Sequence, residues 1–210
     1  MPSSNRRPTT SRADASARAR LLGMLEEDHK RAKHAFREFE KLDPQTDAEA
    51  CEAIVRQTLA ELKLHTALEE ELLYPAAREA LDDEGLIDEA EVEHASAKSL
   101  IRQLDDMTPA DDKYGATFTV LGEYVNHHIK EEEKEMFPAL RRAKADWQAL
   151  CDEVTSRRAE LQPQLLPEGA RAEGASSRPP SRSAAEPAGL RRPRSGDESR
   201  PMAADEPDED

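Results

Sequence analysis

Residues 65–75 read HTALEEELLYP, and residues 128–138 read HIKEEEKEMFP. Each copy of this repeat begins with a histidine, carries a glutamate at the i+4 position and ends with an aromatic residue followed by proline. Positions i and i+4 of an α-helix lie on one face, so each copy directs an imidazole and a carboxylate toward the same point. Two copies on facing helices could enclose a pair of metal ions, as in bundles with carboxylate-bridged metal sites.

The composition of the chain excludes several classes of protein. Its 210 residues carry a formal net charge of −15, and 37% of them are hydrophobic. Nucleic-acid-binding surfaces are basic, so this charge argues against a nucleic-acid partner. No apolar run of about 18 residues is present that would span a membrane. The two cysteines, Cys51 and Cys151, form no CxxC pair. We therefore expect no membrane partner and a reducing, cytoplasmic location.

Both ends of the chain differ in composition from its middle. Residues 161–210 are rich in Pro, Ser, Arg and Glu, lack apolar periodicity and contain eight of the 14 prolines. Such a segment cannot bury enough surface to offset its ordering entropy, so we predict that it is disordered. Residues 1–15 are polar and rich in Arg and Ser, which also predicts disorder, because a transit peptide would have an apolar face. The folded domain is then expected to cover residues 16–160.

Apolar residues recur at steps of three and four along four segments, which predicts four amphipathic helices. The first covers about residues 16–42, the second begins near residue 46, the third covers about residues 86–107, and the fourth follows residues 108–109. No segment alternates as a strand would. The pattern predicts an all-α protein, an antiparallel up-down four-helix bundle. A further helix at about residues 147–161 either packs outside the bundle or extends from it.

Local signals predict where these helices begin and end. Thr46 and Glu49 have the spacing of a capping box at the start of the second helix. Thr108-Pro109 has the form of an N-cap followed by proline at the first position of the fourth helix. We expect Pro75 to kink the second helix, and Gly85 to close it or follow its end.

Each predicted helix carries one histidine on its apolar face. A lone histidine there is more often a satisfied core residue than a ligand, but carboxylates rarely enter a core unless they are paired or bind metal. The repeated arrangement therefore favours a metal site over a merely structural polar core. Imidazole and carboxylate suit Fe, Mn and Zn, and a glutamate can bridge two ions. The candidate ligands are His29, His65, Glu69, His94, His128 and Glu132.

Helix phase separates these candidates from their neighbours. His127 lies one residue from His128, about 100° around the helix, so both cannot face the centre of the core. Phe118, Leu121 and Val125 are in phase with His128, which places His127 at the surface or at a helix interface. His34 is likewise off the apolar face. The neighbouring glutamates are expected to form a solvated acidic face that attracts cations, a group that includes Glu70, Glu71, Glu131, Glu133 and Glu135.

The chain resembles the hemerythrin family, specifically the bacterial hemerythrin-like HHE cation-binding domains, over about residues 21–144. The motifs that carry the resemblance are Glu27-Asp28-His29, residues 65–75, Val92-Glu93-His94 with Lys98-Ser99-Leu100-Ile101, and residues 127–138. The resemblance implies an up-down four-helix bundle around a non-haem di-iron centre. It also implies that His29 and His65 bind one iron and His94 and His128 the other, with Glu69, Glu132 and an oxo or hydroxo group as bridges.

The sequence departs from the oxygen-carrying members of that family at two positions. They have a second histidine one turn after the ligand of the third helix, where this chain has Lys98. Their last bridging carboxylate is an aspartate one residue further from its histidine than Glu132 is from His128. A lost histidine opens a coordination position or lets water or a glutamate fill it. Simple oxygen carriage is therefore only one expectation.

The expected function is a non-haem di-iron protein that interacts with O2, peroxide or NO, in sensing, storage, detoxification or iron homeostasis. One alternative is an enzyme of the di-iron catalase or oxidase type. Another is a metal-stabilised interaction module whose tail recruits a protein partner. The sequence leaves the choice among them open.

Overall fold

The computed structural model describes residues 12–82 and 85–166, and every regular element within them is helical. Two π-helical turns, Glu69–Leu73 and Glu132–Met136, join α2 to α3 and α5 to α6. The predicted all-α four-helix bundle is confirmed, with α1, α2–α3, α4 and α5–α6 as its four rods. The helices are α1 Arg12–Phe39, α2 Ala48–Leu68, α3 Tyr74–Ala80, α4 Gly85–Asp105, α5 Tyr114–Glu131, α6 Phe137–Arg142 and α7 Trp147–Leu165.

The fifth long helix, α7, packs along the outside of the bundle against α1 and α2. The Asp146 carboxylate caps its first turn by accepting the Ala149 N–H at 3.0 Å. Its apolar face buries Trp147 and Val154, each 1% exposed, and these join the core cluster at one end of the bundle. None of the helices in the described part of the chain is long and apolar enough to cross a membrane.

The first and last helices extend a few residues beyond the expected domain limits of 16 and 160. Helix α1 already includes Arg12, and α7 continues to Leu165 with Pro163 inside its last turns. Leu161 and Leu165 pack against the core, which keeps the helix docked past the point where the composition changes. The remainder of the two tails, residues 1–11 and 167–210, lies outside the described residues.

The core consists of two apolar clusters with a polar layer between them. One cluster is built around Leu21, Tyr74 and Trp147, and the other around Phe36 and Phe118. Burying a large apolar side chain stabilises the fold by roughly 1.5–3 kcal/mol, so both ends of the bundle are tightly held. The histidines of the repeat and their partners occupy the layer between the clusters, where four packed helices fix their positions.

The predicted capping box at Thr46 and Glu49 is wrong. The N-cap residue of α2 is Asp47, and no side-chain hydrogen bond caps this helix in the described structure. The Asp47 carboxylate instead accepts the backbone N–H of Asp43 at 3.1 Å and the Thr46 hydroxyl at 3.3 Å. The Thr46 N–H also donates to the Asp43 carbonyl at 3.0 Å. Both groups of Thr46 that a capping box would use are therefore engaged in the preceding turn.

The predicted helix start at Thr108-Pro109 is also wrong, because α5 begins at Tyr114. The Asp111 carboxylate accepts both the N–H and the hydroxyl of Thr108, at 2.8 and 3.0 Å, which holds this segment as a turn. Of the two alternatives for Gly85, the structure shows the second: α3 ends at Ala80, and Gly85 follows that end as the first residue of α4.

A π-helical turn precedes each proline of the repeat, where we expected a kink at Pro75. Proline has no N–H to donate to the carbonyl one α-turn earlier, so an α-helix is weakened at this point. In the wider turn the Tyr74 N–H donates to the Glu69 carbonyl, and the Phe137 N–H donates to the Glu132 carbonyl. Each π-turn therefore begins at the glutamate of its repeat, and π-turns inside α-helices are frequent at functional sites.

The extra residue in each π-turn rotates the helix that follows. After Glu69 the buried residues of this helix are Leu73, Tyr74 and Ala77. Leu72 and Ala76, which the α-helical period places on the apolar face, are only partly buried. The same shift buries Met136 and Phe137 in the second copy. This shift places the aromatic ring of each copy next to the polar layer.

Candidate metal centre

The structure brings all six predicted ligand side chains together in the polar layer, and none of them is more than 6% exposed. They form two groups in which one nitrogen or oxygen atom from each residue lies within 4.8 Å of the others. The first group is His29, His65, Glu69 and Glu132, and the second is Glu69, His94 and His128. Glu69 belongs to both groups, as a bridging carboxylate would.

The Nε2 atoms of the four histidines point inward in two pairs. His29 and His65 bring these atoms to 3.2 Å from each other, and His94 and His128 bring theirs to 3.1 Å. The first pair combines a histidine of α1 with one of α2, which form one half of the bundle. The second pair combines a histidine of α4 with one of α5, which form the other half. The four nitrogens that could bind metal therefore lie around one small volume.

Each buried glutamate reaches one histidine of each pair. Glu132 Oε2 lies 3.2 Å from His29 Nε2 and 3.4 Å from His128 Nε2. Glu69 Oε2 lies 3.1 Å from His65 Nε2 and 3.5 Å from His94 Nε2. Both carboxylates thus span the two pairs, which is the placement that two bridging ligands require.

Three of the four carboxylate oxygens have no hydrogen-bond donor among residues 12–82 and 85–166. These are both oxygens of Glu69 and Oε2 of Glu132, although ring nitrogens lie close to them. The fourth, Glu132 Oε1, accepts the Tyr74 hydroxyl at 3.1 Å. Imidazoles are the polar groups that contact the Oε2 atoms of both carboxylates in the described structure, and a buried carboxylate is costly unless a cation compensates it: a protonated imidazole in the metal-free protein, or a metal ion. The donor set therefore fits metal ions in the place that the two groups surround.

The second ring nitrogen of every histidine faces a carboxylate outside the centre. Such a carboxylate fixes the ring orientation of a metal-bound histidine and leaves Nε2 free for the metal. The Nδ1-to-oxygen distances are 3.1 Å for His29 and Glu133, 3.4 Å for His65 and Asp28, 3.0 Å for His94 and Glu70, and 2.8 Å for His128 and Glu93.

The roles of these four outer carboxylates were not predicted from the sequence. Glu70 and Glu133 were expected on a solvated acidic face, and Asp28 and Glu93 carried only the family resemblance. A signal was present: each acid directly precedes a histidine or directly follows a glutamate of the candidate set. Adjacent helix positions differ by about 100°, so each acid points to the neighbouring helix, where it meets a histidine.

Lys98 lies in this outer shell and not among the inward-facing groups. Its ammonium donates to Glu70, the carboxylate that faces His94. Lys33 occupies the matching place in the other half and donates to both oxygens of Glu133 at 3.0 Å. The lysine that replaces a histidine of the oxygen carriers therefore supports an outer carboxylate.

The two histidines that helix phase excluded are both exposed. The side chain of His127 is 58% exposed and that of His34 is 66% exposed. Each lies beside a glutamate one turn further along its own helix, His127 beside Glu131 at 3.1 Å and His34 beside Glu38 at 3.5 Å. The surface prediction for both residues is confirmed.

In the absence of metal, the charges in the polar layer are distributed unevenly. Burial lowers the pKa of His65, but Glu69 and Asp28 outweigh this effect and raise that pKa to about 10. The pKa of His128 is raised to about 10 in the same way, against burial, by Glu132 and Glu93. Burial dominates at His94 and lowers its pKa. His65 and His128 are therefore imidazolium ions near neutral pH in the metal-free protein, and a metal ion bound at Nε2 must displace the second proton of each ring.

A small cavity lies beside the four histidines. Its volume is about 30 Å³, enough for one molecule of about the size of water. Its other walls are mainly aliphatic and include Ala32, Leu62, Ala97, Ile101, Val125 and Ile129. A diatomic molecule or peroxide has a suitable size for this cavity.

Residues 20–140 match the family model described as the hemerythrin HHE cation-binding domain. The chain belongs to the hemerythrin HHE family. The family resemblance inferred from the motifs is thereby confirmed, and with it a cation-binding domain. The matched residues include all six side chains of the candidate centre.

Two relatives place this hemerythrin-family chain among known proteins. A solved hemerythrin HHE cation-binding domain-containing protein from Mycobacterium kansasii shares 24% identity and superposes with a TM-score of 0.56, covering 67% of this chain and 85% of that one. A protein from Nostoc sp. named DNA nickase is 28% identical over 103 residues, which are 49% of this chain. The chain spans only 29% of the length of that relative. The first similarity supports the fold.

Proposed function

We propose that this hemerythrin-family chain holds two non-haem iron ions in the polar layer. His29 and His65 would bind one ion, and His94 and His128 the other. Glu69 and Glu132 would bridge them. The observation that carries the proposal is the placement of the two glutamates. Each reaches one histidine of each pair, and three of the four oxygens of the two carboxylates have no hydrogen-bond donor among the described residues other than these imidazoles. A mixed set of imidazoles and carboxylates suits iron well.

We further propose that the centre interacts with O2, peroxide or NO, in sensing, storage, detoxification or iron homeostasis. Bound iron would supply redox and Lewis-acid chemistry at this point. The chain itself contributes a small, largely aliphatic cavity that admits one small molecule beside the imidazoles. The outer carboxylates hold the histidine rings, so that the ring nitrogens stay directed at the centre.

The decisive experiment is metal analysis of the purified protein together with optical spectra. Spectra would be recorded before and after reduction, and after exposure to O2, hydrogen peroxide and NO. We expect about two irons per chain, as in other bundles with carboxylate-bridged metal pairs, and absorption bands that respond to at least one of these molecules. A single tightly held zinc ion, with no uptake of iron under anaerobic reconstitution, would contradict the proposal.

Proton release offers a second test that does not depend on colour. Near pH 7.5 the rings of His65 and His128 are expected to carry a second proton in the metal-free protein, because the pKa of each is raised to about 10. Binding of Fe2+ through these nitrogens must expel those protons. Anaerobic addition of Fe2+ in weak buffer should therefore acidify the solution. Mg2+, which prefers all-oxygen ligands, should release almost none.

An enzyme of the di-iron catalase or oxidase type is the second candidate. It is favoured by the outward position of Lys98, which leaves the centre with fewer histidines than an oxygen carrier has. Open coordination positions allow turnover as well as reversible binding. Repeated decomposition of hydrogen peroxide by the iron-loaded protein would identify an enzyme. A single stoichiometric change of the spectrum would favour sensing or storage.

A further inference from the structure

The repeat divides the bundle into two matching halves, each with an outer carboxylate on its first helix. In α1, Asp28 precedes His29, and its carboxylate lies 3.4 Å from His65 Nδ1. In α4, Glu93 precedes His94, and its carboxylate lies 2.8 Å from His128 Nδ1. Asp28 and Glu93 therefore hold equivalent histidines in equivalent places.

The two carboxylates differ in how their charge is balanced. Asp28 is 7% exposed and contacts the guanidinium groups of Arg31 and of Arg158, which belongs to α7. No lysine or arginine of the described segments contacts Glu93. The second oxygen of Glu93 faces His127 Nε2 at 3.6 Å. The half-bundle that α7 does not cover thus lacks the cation that its counterpart has.

Three potential metal ligands meet at this uncovered place. His127, Glu131 and Glu93 bring one nitrogen and two carboxylate oxygens within 4.8 Å of one another. Their side chains are 58%, 33% and 17% exposed, so the group opens to solvent. The residues at the matching positions of the first copy are Leu64 and Leu68, which are buried in the apolar cluster that includes Trp147.

A cleft of about 70 Å³ is lined both by members of this group and by residues of the buried centre. The exposed residues of its lining are Glu89 and Glu135, and two members of the group, Glu93 and Glu131, line it as well. Its buried lining includes His128 and Glu132. Acidic side chains therefore run from the surface to two of the candidate ligands, and such a lining concentrates cations.

We propose that His127, Glu131 and Glu93 form a surface site for a divalent transition-metal ion, and that the acidic cleft is the route by which the ion reaches the buried centre. One imidazole and two carboxylates suit Fe2+, Mn2+ or Zn2+. Solvent completes the coordination at an exposed site, which keeps binding weak and exchange fast. The route, unlike the surface site, rests on the proposed di-iron function.

A zinc titration of the iron-loaded, full-length protein tests the surface site. Calorimetry should show one additional weak site per chain in the wild type, and the His127→Ala variant should lose it. His34→Ala is the matched control, because His34 is an exposed helical histidine with Glu38 one turn away but with no third ligand in the described structure. Equal zinc binding by the two variants would overturn the surface site.

The rate of iron uptake tests the route. Metal-free protein is mixed anaerobically with Fe2+, and iron that resists a brief chelator quench is counted over time. His127→Ala and Glu131→Gln should slow uptake by about tenfold, the scale at which local charge steers association, and should reach the same final count. His34→Ala should behave as the wild type does.

Uptake by His127→Ala at the wild-type rate would overturn the route. A wild-type protein that never acquires chelator-resistant iron would instead contradict the proposed di-iron function. The zinc titration then still decides the surface site, because it can be carried out on the metal-free chain with the same pair of variants.

Discussion

The copies of the repeat at residues 65–75 and 128–138 have the same backbone conformation, an α-helix that widens into a π-turn at its glutamate. They differ in the aromatic residue that precedes the proline. Tyr74 donates its hydroxyl to Glu132 Oε1 at 3.1 Å and lies 3.2 Å from His94 Nε2. Phe137 has no hydroxyl and stacks on His29, with ring centres 5.6 Å apart. The aromatic residue of the first copy therefore donates a hydrogen bond to the glutamate of the second copy, whereas the aromatic residue of the second copy cannot donate one to Glu69.

This difference shows how a symmetric site becomes unequal. The repeat sets the positions of the ligands, while a single hydroxyl sets how well each bridging carboxylate is satisfied. Burial, followed by the charges of Glu69 and Glu132, raises the pKa of Tyr74, so its phenol keeps the proton that it donates. Glu69 has no such donor in the described structure and depends more on a bound cation.

The largest expected effect comes from removing the histidine that opens a copy. His65→Ala and His128→Ala each take away a proposed ligand, so iron per chain should fall from about two to one or fewer. His127→Ala should keep the iron in the buried centre, because its side chain is 58% exposed. Metal analysis of the three variants, purified side by side, measures this. If His127→Ala empties the centre while His128→Ala keeps it filled, the assignment of ligands on α5 is wrong.

The fifth helix should make one half of the bundle more sensitive than the other. Arg158→Met removes a guanidinium from Asp28, whose carboxylate is 7% exposed, and should cost about 1–3 kcal/mol in the free energy of unfolding. The neighbouring Arg157→Met breaks an exposed pair with Glu71 and should cost less than about 1 kcal/mol. Denaturant unfolding compares the two variants. Equal losses would show that Arg158 contributes no more than a surface ion pair.

Tyr74→Phe makes the two copies alike. It leaves Glu132 Oε1 without its donor and should destabilise the metal-free protein by about 1–2 kcal/mol, with the metal count unchanged. Iron bound to a less satisfied carboxylate should also show a shifted reduction potential, which voltammetry can measure. Tyr124→Phe is the control, since Tyr124 is 49% exposed. The role given to the Tyr74 hydroxyl is refuted if both variants keep the wild-type stability and potential.

The smallest effect is expected at the two lysines of the outer shell. Lys33→Ala and Lys98→Ala each remove a partly exposed ion pair, with Glu133 and Glu70 respectively, and each should cost less than about 1 kcal/mol. The two losses should be similar, because the lysines occupy matching places. Urea unfolding and metal analysis provide the comparison. Loss of iron in Lys98→Ala alone would place that residue at the centre.

The fold and the set of six converging residues were predictable because they follow from periodicity. A step of three and four residues marks the buried face of each helix, and the same step separates His128 from its exposed neighbour His127. The histidines and glutamates of the set were visible as polar residues on faces that should be apolar. These features repeat over many residues, so a single local exception does not hide them.

The features that the sequence did not reveal depend on contacts between distant or competing groups. The π-turns change the helical period within five residues, so the α-helical pattern placed Leu72 and not Leu73 on the buried face. The caps at Thr46 and Thr108 failed because nearby aspartates bind the same groups in turns. Glu70 and Glu133 directly follow the candidate glutamates, but their other acidic neighbours in sequence mask this signal, and the packing of the helices shows that each faces a histidine.

The polar layer between the two apolar clusters also affects how the protein unfolds. Without metal, the clusters are separated by charged groups that water would solvate well, so the two ends of the bundle are expected to open as separate cooperative units. Ions bound in the layer would join α1, α2, α4 and α5 at one point and close long loops of chain, much as a covalent cross-link does. Amide hydrogen exchange would then show two levels of protection in the metal-free protein and a single level once metal is bound.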